Sequence, residues 1–227
     1  MRQEIKELSE IIGGLSKTDK MPCLSWSTSA SGCKVGSQLR SKPDSVCSKC
    51  YACKGNYLFP SVRSCLERRL ESLSDLDAWT TTMIDLIAWH AGQGATLRDG
   101  TIAAPGFFRW HDSGDLQSVE HLQAIVEIAR ALPEIAFWLP TKEIGIVGKW
   151  IALHGHIPTN LVIRISGYYL KQRPKITSMR GSGVRGSGVD VDGDDVTTCI
   201  APQQAGKCGT CRACWNRDIE IISYHQH

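Results

Sequence analysis

Cysteine placement constrains this 227-residue chain more than anything else: it has ten cysteines, and six of them fall in two Cys-x2-Cys-x2-Cys triplets. The first triplet is Cys47, Cys50 and Cys53, with Cys33 upstream; the second is Cys208, Cys211 and Cys214, with Cys199 upstream. A two-residue gap lets successive thiolates turn inward on one centre while backbone N–H groups point at sulfur. Two pairs supplying four thiolates make a closed tetrahedral zinc site. Triplets leave a thiolate over in that scheme. They match iron–sulfur clusters, which take a short run of cysteines and a further ligand from elsewhere. The spacing therefore favours an iron–sulfur cluster, with 4Fe–4S the expected type and zinc the alternative cofactor. It leaves open whether there are two clusters or one shared by both ends. Cys65 sits in a helical pattern beside Leu66 and reads as core, while spacing alone gives Cys23 no role.

Composition sets the compartment in which those thiols work. Hydrophobic residues make up 42 % and charged residues 22 %, ordinary for a globular domain that needs no covalent staples. The N-terminal residues alternate charged and apolar, unlike a secretory signal. No apolar run approaches the ~20 residues of a membrane helix. A cytoplasmic protein is expected, with reduced thiols used for metal rather than disulfides. Net charge is only +3 with scattered Lys and Arg. Nucleic acid is therefore not indicated as a partner, a membrane is excluded, and a small-molecule substrate fits best.

Periodicity sets the fold. Residues 2 to 15 predict an amphipathic helix with Ile5, Leu8, Ile11, Ile12 and Leu15 on one stripe. Residues 17 to 56 show no sustained period and read as a long functional loop. Helices follow at roughly 60 to 73 and from a cap at Ser74 or Asp75. After that, short strands alternate with helices. Phe107–Trp110, Ile135–Leu139, Leu161–Ile165 and a C-terminal Ile219–Ser223 read as strands, with helices after the first two. That alternation predicts a single α/β domain over residues 1–227. Its core is a parallel sheet with crossover helices, open or closing into a partial barrel. The Cys-rich segments 20–56 and 199–215 are expected to converge on the metal centre. Arg180-Gly-Ser-Gly-Val184 is repeated at once as Arg185-Gly-Ser-Gly-Val189 and reads as a mobile connector, or as an anion-holding lid. Asp190, Asp192, Asp194 and Asp195 follow without the distal Glu of a calcium loop.

In parallel sheets the working residues lie just past the carboxyl ends of the strands. Those positions hold His111, Asp112, Asp115, Lys142 and Glu143 as candidate catalytic groups, with Arg109 and Ser166 as candidate binding groups. His111 has the residue type of a general base or proton shuttle, and Asp112 or Asp115 that of its orienting carboxylate. Asp112 or Ser113 could instead cap the following helix, and Glu143 could simply open one. Arg164 is a further candidate catalytic group: it interrupts an apolar strand, so it needs an anionic partner such as Asp112, Glu143 or a substrate carboxylate. His225 and His227 read as frayed ends, or as a return of the chain to the site.

Several stretches together resemble one known family. They are Lys20-Met21-Pro22, Cys47-Ser48-Lys49-Cys50-Tyr51-Ala52 with Lys54-Gly55, Phe108 through Asp115, Phe137 through Glu143, Asn160 through Ser166, and Cys208 through Trp215. From about residue 20 onward the chain is similar to the phage "gene product eighty-eight" family, which implies a phage origin rather than an activity. The Cys-x2-Cys-Tyr-Ala segment is also similar to one in phage proteins distantly akin to radical-SAM enzymes, which are partial α/β barrels. That likeness implies SAM as a further cofactor. The chain carries Cys-x2-Cys-x2-Cys where radical-SAM enzymes carry Cys-x3-Cys-x2-Cys. The family resemblance sets Cys53 aside, leaving Cys33, Cys47, Cys50, Cys199, Cys208, Cys211 and Cys214 as the expected ligands. A cluster with an incomplete thiolate set has an open iron. With His111 and Asp112 nearby, the expected chemistry is hydrolysis, for example of a carboxylic ester, or hydration. A radical-SAM-like reaction, electron transfer, redox sensing and a structural cluster are the alternatives.

Overall fold

A computed structural model describes residues 2–18, 20–179 and 181–226; Arg180 of the Gly-Ser repeat and His227 lie outside the described residues. Seven strands form one all-parallel open sheet in the order β1-β2-β3-β4-β5-β7-β6. They are β1 (Leu24–Trp26), β2 (Phe107–Trp110), β3 (Ala136–Thr141), β4 (Leu161–Ser166), β5 (Arg185–Val189), β6 (Val196–Thr198) and β7 (Ile221–Tyr224). The α/β reading holds, and of the two forms expected the sheet takes the open one.

The first five strands lie side by side in chain order. Right-handed crossovers between strands laid down that way put successive helices on one face. Accordingly α1 (Arg2–Ile12), α4 (Leu76–Gln93), α5 (Val119–Ala131) and α6 (Ile144–His154) share one core with alternate strand residues. Leu24 and Trp26, Phe108 and Trp110, Phe137 and Leu139, and Leu161, Ile163 and Ile165 are those residues. The intervening positions (Ser25, Arg109, Trp138, Arg164) point the other way. That face is covered by the C-terminal Cys-rich segment, whose Trp215 ring packs edge-on to Trp138 at 5.2 Å and to Phe107 at 5.6 Å.

Several sequence expectations need correction. Residues 17–56 are not simply a loop: they contain the edge strand β1, the helix α2 (Lys34–Arg40) and short 3₁₀ turns. The first helix stops at Ile12 because Gly13 and Gly14 take positive φ, and Ile11 is exposed while Ile5, Leu8, Ile12 and Leu15 pack on the core. The cap of α5 is Ser118, accepting from His121 N at 3.1 Å, not Asp112 or Ser113. The second copy of the Gly-Ser repeat is no connector, since Arg185–Val189 is the buried strand β5. Its glycines mark close approach: a Cβ at Gly186 would lie 2.5 Å from Pro174 Cγ, and one at Gly188 2.4 Å from Val191 Cγ2. Helix α3 (Pro60–Ser72) and the Asp75 cap of α4 fall where periodicity places them.

Candidate metal centres and the polar sheet face

The N-terminal thiols gather around α2. Cys33 is the N-cap residue of that helix, and its own side chain makes no capping bond. The cap comes from Glu143, buried after β3, whose Oε1 accepts from Lys34 N at 3.1 Å and Val35 N at 2.8 Å. A carboxylate there satisfies orphan N–H groups and complements the helix dipole. A Cβ at Gly36 would lie 3.7 Å from Cys33 Sγ and 3.6 Å from Cys47 Sγ, so both sulfurs face one glycine. Cys50 is an electrostatic neighbour of Cys33, Cys47 and Cys53. Burial pushes the Cys33 thiol up to about 12, with Asp115, Cys50 and Cys47 acting in the same direction. Asp115 ties two strand ends together by accepting from Leu116 N at 2.8 Å, Lys142 N at 2.9 Å and the Thr141 hydroxyl. Burial raises its pKa to about 6 against those hydrogen bonds. Asp115, Lys142 and Glu143 thus meet beside Cys33 and Cys47.

The C-terminal thiols gather on the opposite side of the sheet from the helices. Cys199 N donates to Ser223 O at 2.8 Å, Cys208 N to Lys20 O at 3.0 Å, and Cys214 Sγ lies 3.3 Å from the Tyr224 hydroxyl. Cys208 and Cys199 are electrostatic neighbours of Cys214, and burial pushes the Cys214 thiol up to about 12. Beneath them stands Arg164, with 0 % exposure. Its expected carboxylate partner is replaced by main-chain oxygens. The guanidinium donates to Cys214 O (3.0 Å), Gly186 O (3.1 Å), Ile219 O (3.1 Å), Ala213 O (3.2 Å) and Asn216 O (2.7 Å). Carbonyls satisfy its donors but leave its charge without a full counter-charge.

Arg109 and its partners lie between the two thiol sets. Arg109 pairs with Asp112 at 2.8 Å and stacks over the Trp138 ring at 4.7 Å. The Tyr57 hydroxyl donates to the Asp112 carboxylate and the Tyr51 hydroxyl to Asp112 O. Burial opposes the Arg109 charge, but the Asp112 carboxylate beside it outweighs that, so the guanidinium stays charged. Tyr51 is half exposed, but its hydroxyl is turned inward, and the loss of water around it, then Asp112, pushes it up to about 12. Tyr51, Tyr57, Tyr224 and Trp138 had no assigned role in the sequence. Tyr51 within the first cysteine triplet and Tyr57 just beyond it were the only signal there.

His111 and Asp112 do not form a dyad. His111 takes φ +53°, a left-handed conformation rare for a non-glycine residue, and so breaks the strand alternation. Its ring joins the helix-side aromatic core, with centroids 5.5 Å from His121, 6.4 Å from Trp26 and 6.5 Å from Trp110. Neither ring nitrogen has a hydrogen-bond partner among the described residues. Burial holds its pKa well below the usual histidine range. Asp112 turns to the other side, its N–H donating to Ser27 Oγ at 2.9 Å. Ser166 lies apart from both, its hydroxyl 3.2 Å from that of Ser187 on β5.

Among the described residues no three His, Cys, Asp or Glu side chains already surround one point closely enough to hold an ion. The donor chemistry still fits a thiolate-bound metal. Each set is a crowd of thiols on a turn-rich segment, and the second stands over a buried cation to which no carboxylate is bonded. Metal binding deprotonates such thiols and draws them in as the site orders.

Compared with known proteins, residues 4–217 match the family model described as Gene product 88. No curated protein and no solved structure matches the chain. Among the described residues no helix is long and apolar enough to cross a membrane.

Proposed function

The chain belongs to the gene product 88 family, and we propose that it is an iron–sulfur enzyme whose two thiolate sets lie on either side of the Arg109–Asp112 pair. Arg164 is the observation that carries this reading. A fully buried guanidinium whose five bonds all go to carbonyls is expensive unless negative charge stands nearby. The thiolates of a cluster at Cys199, Cys208 and Cys214, with a fourth cysteine beside them, supply that charge. The Gene product 88 match itself carries no functional information.

Cys33, Cys47 and Cys50 would hold a second cluster at the carboxyl ends of β2 and β3. A cluster bound by three thiolates keeps one iron free to act as a Lewis acid, and one bound by four carries electrons. The remaining chemistry belongs to the chain. Arg109 fixes the carboxylate that meets a small substrate. Asp112 is held in place by Arg109 and Tyr57, and Tyr51 holds its backbone. Trp138 and Trp215 exclude water behind them. Hydrolysis and hydration, the reaction classes expected from the sequence, would use Asp112 and the tyrosine hydroxyls where His111 was expected.

Iron and acid-labile sulfide counting tests the reading, on the native chain and on a variant with Cys33, Cys47 and Cys50 changed to Ser. The expected result is iron and sulfide in equal amounts in the native chain, with part of both lost in the variant. Zinc in place of iron, with no sulfide, would refute it.

A further inference from the structure

We infer that Cys23, rather than Cys211, completes the C-terminal thiolate set with Cys199, Cys208 and Cys214. The inference rests on the iron–sulfur reading above and sharpens it.

Cys23 lies directly before β1 and is completely buried. Leu24 points into the helix-side core, so strand alternation turns Cys23, like Ser25, to the opposite face. There it packs with Trp138 and Trp215, with Cys214 against the same cluster. The backbone brings the two ends of the chain together at this point, because Cys208 N bonds to Lys20 O, three residues before Cys23. The mutual neighbours make the set. Cys23 interacts with Cys208 and Cys214, Cys208 with Cys199, and Cys214 with both Cys208 and Cys199. Cys211 lies on the turn where its N–H bonds to Cys208 O and its carbonyl accepts from Arg212, and it is not among the residues that pack with Cys23, Trp138 and Trp215.

A second observation points to a resident, sulfur-rich group at this spot. Ser25, Arg109 and Trp138 sit side by side in register across β1, β2 and β3. Ser25 Oγ, Arg109 Nε and Trp138 Nε1 are all buried without a hydrogen-bond partner. Adjacent orphaned donors on one face call for a common acceptor. A diffusing substrate does not reach groups sealed from solvent, whereas a cluster assembled as the chain folds does. Cluster and thiolate sulfurs accept such bonds, which help set the reduction potential.

The test compares full-length native protein with Cys23→Ser, Cys211→Ser and Cys214→Ser after anaerobic reconstitution with ferrous iron and sulfide. Cys23→Ser should lose as much iron and sulfide as Cys214→Ser, and Cys211→Ser should keep the native count. Iodoacetamide labelling of the reconstituted native protein gives an answer that does not depend on any variant folding: Cys211 should be alkylated while Cys199, Cys208 and Cys214 are protected. Iron loss in Cys211→Ser with retention in Cys23→Ser would overturn the inference, as would protection of Cys211. A native chain that takes up no iron would overturn both this inference and the iron–sulfur reading. A native chain that takes up iron with Cys23 dispensable would overturn this inference alone.

Discussion

Arg164 leaves β4 surrounded by carbonyls of residues 213–219 and of Gly186, so this one side chain shapes the segment that carries Cys214. Lysine has three donors for five acceptors. Ala213 O keeps the Asn216 N–H, so Arg164→Lys leaves about one buried carbonyl unpaired, at about 1–3 kcal/mol. The expected outcome is a chemical-denaturation midpoint lowered by a destabilisation of about 1–3 kcal/mol, with reduced iron content. An unchanged midpoint would show that the cage is incidental. Sequence reasoning identified Arg164 as a buried cation in need of a partner. It could not name the partner, because main-chain oxygens from a distant turn leave no mark in residue types. His121 permits a second test. Burial lowers its pKa to about 3, so the folded state refuses a proton that the unfolded chain accepts below about 6.5. The sign follows: stability is highest above that pH and falls as pH drops toward 3, by about 1.4 kcal/mol per pH unit for this group. His121→Gln should flatten the stability–pH slope between pH 4 and 6 by one proton. Parallel slopes for the two proteins would contradict the assignment.

Elements with four or more patterned residues were legible. Strands β2, β3, β4 and β7 and helices α3 to α6 lie within a few residues of their expected positions, because alternation and helical spacing need that much chain to show. β1 has three residues and β5 reads Arg-Gly-Ser-Gly-Val. Neither length nor composition marks them as strands, and tertiary packing decides both. Gly186→Ala puts a methyl group 2.5 Å from Pro174 Cγ, so overpacking should cost about 1–3 kcal/mol in a thermal or denaturant melt. A neutral result would mean that residues 172–176 do not press on β5. Helix α2 depends on a residue outside its own sequence. Glu143→Ala removes its cap and should cost about 1–2 kcal/mol. Because the capped turn carries Cys33, iron should also leave the N-terminal thiols faster in a chelator-release assay. Release at the native rate would separate the cap from the metal site. Glu143 was a candidate catalytic group in the sequence; its observed bonds are those of a helix cap.

At the scale of the whole molecule, sequential strand order puts the helices on one face and leaves the other to be covered by the C-terminal cysteine segment. The spacing of the cysteines pointed to metal before any fold was known. How the thiols divide, with one set at α2 and another over Arg164, depends on register across five strands and was not readable from spacing. The polar row of Ser25, Arg109 and Trp138 was hidden for the same reason, since its members lie far apart in the chain and become neighbours only through pairing. Quantifying iron, sulfide and zinc per chain in protein purified without oxygen decides whether these thiols hold a cluster. Iron and sulfide are expected in equal amounts, with loss of both when Cys208 and Cys214 are changed to Ser together with Cys33, Cys47 and Cys50. Zinc without sulfide, or iron that survives the loss of all five thiols, would contradict the iron–sulfur reading.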